Sequence, residues 1–161
     1  MNHEDTLAQT KAELLRAKDR MAHALATTPE DRLGWSPSPT ARTPLQLVGH
    51  AANAISGIQG MLTGKSFPFA GLAEFDAFMR ADEQKHTSQE QVLALLNQTS
   101  TDYFVWLDTL TPEQISAMVQ TPFGPPVPMA VAITFPASHL SSHIAQMDYL
   151  QTIYGDHDWH M

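Results

Sequence analysis

The sequence predicts an all-α fold, a four-helix bundle with a long connection between its second and third helices. Three observations carry that prediction. Four segments repeat apolar residues at the helical period, three proline- and glycine-rich stretches separate them, and β-branched runs are scarce. The chain of 161 residues is long enough for a single domain, 1–161, to bury a core without disulfide or metal staples.

The first helix is expected from Leu7, Leu14, Met21 and Leu25, spaced along one face with alanines between them. Residues 28–44 follow, with four prolines and a glycine, and read as a loop. The second helix opens at Thr43-Pro44, a threonine cap followed by proline where a missing N–H costs nothing. Its apolar stripe runs through Leu47, Val48, Ala51, Ile55, Ile58 and Leu62, and Gly64 ends it. Residues 63–78 form a long crossover with one short helical turn.

The third helix begins where Thr87 or Ser88 can cap and Glu90 lies near the positive end of the helix dipole. Val92, Leu95, Leu96, Thr99, Tyr103, Trp106 and Leu110 mark its course. Residues 121–128 break the pattern again. The fourth helix spans about 129–154 with Gly155 as its stop, and Pro136 kinks it or marks its effective start. Residues 129–135 are β-branched enough to keep a strand there as the alternative.

Composition narrows the function. Hydrophobic residues make up 43% and charged ones 16%, a globular balance. A formal charge of −8 with nine scattered Lys and Arg residues argues against a nucleic-acid partner, which needs clustered positive charge. There is no cysteine, so disulfides, thiolate nucleophiles and Cys-ligated metals are excluded together. The first twenty residues are polar and charged, without a signal-peptide pattern, and no apolar run approaches the roughly 18 residues that span a bilayer. A soluble, cytoplasmic protein without a membrane partner is expected.

The chemistry concentrates in "SHLSSHIAQMDYL". His139 and His143 stand four positions apart and share one helix face. A zinc-type catalytic site takes about three protein ligands, so a third must come from elsewhere. His50, in "LQLVGHAANAI", lies on the flank of the second helix's apolar stripe between small neighbours Gly49 and Ala51. An imidazole aimed into a bundle needs a partner, and a metal shared with His139 and His143 would be one.

The plainer reading stays open on the residues alone. Histidine pairs at this spacing are common on helices, and a lone core-flanking histidine more often bonds a carbonyl. Of the others, His23 has no evident partner, His86 sits in a charged, solvated stretch, and His157 and His160 read as a polar tail. Leu140 stands where an H-E-x-x-H protease needs glutamate, and Ser138, Ser141 and Ser142 lack a nucleophile elbow. Gln146, one turn beyond His143, can orient a ligand histidine or make an interhelical hydrogen bond. Asp148 and Tyr149 face away from the pair, and Trp35 and Arg42 border the second helix as loop-packing or substrate-facing residues.

Three features together resemble the DinB/YfiT-like superfamily of metal-binding four-helix bundles. They are the breaker-rich approach "WSPSPTARTPLQLVGHAANAI" with His50, the H-x-x-x-H-x-x-Q pattern of His139, His143 and Gln146, and the order of one histidine on the second helix and two on the last. The resemblance implies a divalent metal, nickel or zinc, on His50, His139 and His143. It also implies a homodimer and a metal-dependent enzyme acting on a small molecule, by transfer of a low-molecular-weight thiol, by thiol-dependent isomerisation or by hydrolysis. The alternative from another class is a non-catalytic metal-binding or dimerisation bundle.

Overall fold

Helix boundaries follow the local chemistry closely. The computed structural model describes residues 2–122, 124–158 and 160, so Met1, Phe123 of the third breaker stretch, and Trp159 and Met161 of the tail lie outside the described residues. Helix α1 (His3–Ala26) is capped by the Asn2 side chain, which accepts from the Asp5 N–H at 2.8 Å. Helix α2 (Pro44–Leu62) starts with Thr43 and Gln46 in a reciprocal capping box and Pro44 in its first turn. It ends where Gly64, at φ +80°, lets the Lys65 N–H reach the Gly60 carbonyl at 2.9 Å. Gly155, at φ +95°, ends the last helix in the same way.

The crossover holds more than the expected single turn. Residues Leu72–Glu83 form a full helix, α3. Leu, Ala, Glu and Met dominate it, with Glu74 in its first turn and Arg80 in its last, both favourable to the helix dipole. Helix α4 (Gln89–Leu107) is capped by Ser88 and stops short of Leu110. A short helix α5 (Pro112–Ser116) leads to a two-stranded antiparallel hairpin, β1 (Met118–Val119) and β2 (Val127–Pro128), with Val119 opposite Val127.

The fourth expected helix is broken in two. Residues 129–135 form no strand: Met129–Ala132 is the short helix α6, and α7 runs Phe135–Ile153. Pro136 sits in the first turn of α7, where its lack of an N–H is harmless, so it marks a start rather than a kink within a continuous helix. The fully buried Tyr103 braces this break by donating its hydroxyl to the Ile133 carbonyl at 3.0 Å.

Helices α1, α2, α4 and α7 make the bundle. The pairs Arg20–Asp148 and Ala24–Gln151 rise together, so α1 and α7 run parallel. Lys11–Asp108 and Lys18–Asn97 run oppositely, so α1 and α4 are antiparallel. Helix α2 begins where α1 and α7 finish, because Leu45 donates to the Leu33 carbonyl and Trp35 packs edge-on to Tyr154. The result is up-down-down-up. The parallel neighbours α2 and α4 require the long crossover, and α3 rides on α2 outside the bundle.

Candidate metal centre

Antiparallel packing of α2 on α7 brings His50 against the His139–His143 face. The ring centroids of His50 lie 5.2 Å from His139 and 4.7 Å from His143, and the α7 pair is 4.5 Å apart. One nitrogen from each of the three rings lies within 4.8 Å of the other two. Imidazole nitrogens about 2.0–2.1 Å from a zinc-type ion sit roughly 3–3.5 Å from one another, so small side-chain rotations close the set. Among the described residues this is the one such group of His and carboxylate side chains.

The outward nitrogens decide which inward ones are free. His50 Nδ1 is 2.7 Å from Glu83 Oε1, and since a carboxylate only accepts, Nδ1 carries the proton and Nε2 keeps its lone pair. His143 Nδ1 is 2.8 Å from the Gln146 amide oxygen, which assigns the same tautomer. His139 Nε2 then donates to His143 Nε2 at 3.1 Å. A cation bound here needs only one proton moved, from Nε2 to Nδ1 of His139. Two rings whose Nδ1–H groups are tied to acceptors keep their Nε2 lone pairs available, which fits a metal better than carbonyl bonding.

The electrostatics favour neutral rings for the pair on α7. Burial, with the neighbouring His143, His50 and Arg42, lowers His139 to about 4. Burial also lowers His143, opposed by the hydrogen bond it donates to Gln146. Glu83 is 1% exposed. Its burial works to raise its carboxyl, but hydrogen bonds from His50 and Arg42 and the Arg42 charge outweigh that, holding it below the usual carboxylate range. Arg42 Nε donates to Glu83 Oε2 at 2.8 Å, and its Nη2 lies 3.8 Å from Asp76.

The three histidines named from the sequence therefore meet, and Gln146 bonds His143 instead of crossing to another helix. Asp148 pairs with Arg20, Tyr149 is 67% exposed, and Ser141 and Ser142 bond back to carbonyls of their own helix. Trp35 packs against Tyr154 under Arg32 as a loop-packing residue. Two histidines differ from expectation. His86 is not solvated: its ring lies over Gly49, where a Cβ would collide with it. His23 does have a neighbour, since His160 bonds Asp156 at 2.9 Å and presents its ring edge to His23.

Glu83 is the residue the sequence did not single out. In "RADEQKH" it looks like one more surface charge, and its burial depends on Arg42 and His50, far away in sequence. The only local signal is its spacing of four from Met79, the other buried residue of α3.

The chain resembles known structures over nearly its whole length. YfiT from Bacillus subtilis, a probable metal-dependent hydrolase with an unusual four-helix bundle topology, is 19% identical, with TM-score 0.71 over 92% of this chain and 87% of that one. A mycothiol-dependent maleylpyruvate isomerase is 13% identical, with TM-score 0.71 over 91% of this chain but only 63% of that one. The sibling lethal factor precursor DfsB is 15% identical, with TM-score 0.73 over 92% and 96%. These likenesses establish the fold. No curated protein sequence matches. The profile of the DinB superfamily matches residues 13–147, most of the chain, and by that match the protein belongs to the DinB superfamily.

Proposed function

We propose that the protein is a metal-dependent enzyme acting on a small molecule, with His50, His139 and His143 as ligands of a divalent ion. The observation that carries this is the pair of outward hydrogen bonds, His50 to Glu83 and His143 to Gln146, which leave two Nε2 lone pairs beside His139 Nε2. Zinc and nickel both suit imidazole ligands. Bound by neutral rings, such an ion keeps its double charge and would acidify a water or a thiol placed beside it.

The protein's own groups supply the rest. Burial keeps His139 and His143 unprotonated at neutral pH, so they remain available as donors. Glu83 fixes the His50 ring and its tautomer, and Arg42 balances the carboxylate charge. Hydrolysis and thiol transfer both start from this arrangement. The fold likeness to a mycothiol-dependent isomerase supports a low-molecular-weight thiol as co-substrate.

The test is ion uptake by protein prepared without an affinity tag, stripped by chelator and reloaded with zinc or nickel. We expect one ion per chain in the parent and at least a hundredfold weaker binding in His143→Ala. Failure of the parent to take up either ion, or full stoichiometry in the variant at equal affinity, would overturn the ligand set. With the ion in place, turnover of small electrophiles with a thiol or water separates the enzyme from a non-catalytic metal-binding bundle.

A further inference from the structure

Helix α3 is attached to the molecule differently from the bundle helices. Only Met79 and Glu83 are buried along its length, and Leu72 and Phe78 are 65% and 53% exposed. Phe67, Phe69, Phe75 and Phe78 gather at its start with ring centroids 5.1–5.3 Å apart, outside the main hydrophobic core. Its attachment is largely polar. Arg80 Nη1 reaches the Thr40 carbonyl at 3.1 Å, Asn53 Nδ2 donates to Asp82 at 2.6 Å, and Glu83 takes both Arg42 and His50. An element held by few buried apolar contacts opens locally at a fraction of the global unfolding free energy.

The most buried of those attachments ends on an imidazole of the candidate metal centre. An ion on His50 Nε2 draws electron density from the ring, making Nδ1–H a stronger donor to the Glu83 carboxylate. That hydrogen bond forms only while α3 is docked. The ion therefore binds the docked state more tightly than the released one, and docking must raise ion affinity by the same factor.

We propose that Glu83 is a positioning residue of the metal centre, and that through it the docking of α3 and the occupancy of the three-histidine site are thermodynamically coupled. This rests on the metal reading above. It adds that the crossover helix reports and reinforces ion binding while contributing no ligand.

Amide hydrogen exchange of the full chain, with chelator or with saturating zinc, reads the coupling directly. Zinc should slow exchange across residues 72–86 by roughly 5- to 150-fold, the range of ordinary coupling energies. In Glu83→Gln at saturating zinc, that regional slowing should be much smaller although zinc still binds, because a neutral amide accepts more weakly than a carboxylate. Asn53→Ala supplies a second route that leaves the centre untouched. It should speed exchange in α3, and zinc should slow that faster exchange by the same factor as in the parent.

If zinc binds the parent and α3 exchange does not respond, the coupling is wrong and the metal site stands. An undiminished α3 response in Glu83→Gln, or no α3 response to zinc in an Asn53→Ala protein that binds the ion, also overturns it. Absence of zinc binding by the parent overturns both readings. Should Glu83→Gln fail to fold, Asn53→Ala decides.

Discussion

Acidifying the metal-free protein from pH 7 to pH 4 is expected to lower its stability by about 2–3 kcal/mol, in a window set by the buried histidines. The ordinary imidazole value is 6.5, and His139 in the fold is lowered to about 4, first by burial and then by the charges of His143, His50 and Arg42. Above pH 6.5 the ring is neutral in both states. Between the two values the unfolded chain holds a proton that the folded one does not, so unfolding takes up a proton and becomes easier as pH falls. Each pH unit separating the two titrations is worth about 1.4 kcal/mol, giving roughly 3 kcal/mol before allowance for solvent at this half-buried ring. His143 shifts in the same direction, but the two rings share a 3.1 Å contact and do not contribute independently.

Glu83 acts in a different window. Its carboxyl is held below the ordinary value of 4.5, so its contribution is intact above that pH and is lost only as pH falls through the lower folded value. Urea denaturation in chelator at half-unit steps from pH 7.5 to 4 measures the effect. It corresponds to about 5–10 °C in Tm for a chain of this length. Replacing His139 by glutamine, which keeps an amide near His143 but does not titrate, should remove most of the slope between pH 6.5 and 4.5. A flat profile from pH 7 to 5, or a His139→Gln protein that keeps the whole slope, would refute burial as the cause.

Three substitutions in the bundle test its packing. Gly57→Ala and Gly49→Ala change the same residue type in α2, but a Cβ at 57 meets open space whereas one at 49 collides with the His86 ring. Gly57→Ala should therefore gain about 0.5–1 kcal/mol from helix propensity, and Gly49→Ala should lose about 1 kcal/mol net, as read by denaturant midpoints. Tyr103→Phe leaves the Ile133 carbonyl without its buried donor and should cost about 1–2 kcal/mol in thermal unfolding, with the helical circular dichroism unchanged.

What could be read from the sequence was what local chemistry determines. Thr43-Pro44, Gly64 and Gly155 place three helix ends correctly, because capping and positive φ are decided within four or five residues. Helix α3 is not legible in the sequence for the opposite reason. Its apolar residues do not trace one buried face, since Leu72 and Phe78 point outward, and flanking Pro68 and Gly71 read as loop. The segment 129–135 was ambiguous because β-branched residues suit a strand. The helical turn of α6 prevails where Met129 and Ala132 bury against the core.

The candidate site divides along the same line. His143 is oriented by Gln146, three residues further along its own helix, so histidine and orienting group are visible together in "HIAQ". His50 is oriented by Glu83 across 33 residues and another helix, and no periodicity points to that carboxylate. A buried Glu has to be paired, and Arg42 together with His50 pairs it completely, one oxygen each. Two candidate ligands thus depend on the fold to different degrees. His143 should keep its tautomer wherever α7 is helical, and His50 should keep its own only while α3 is docked.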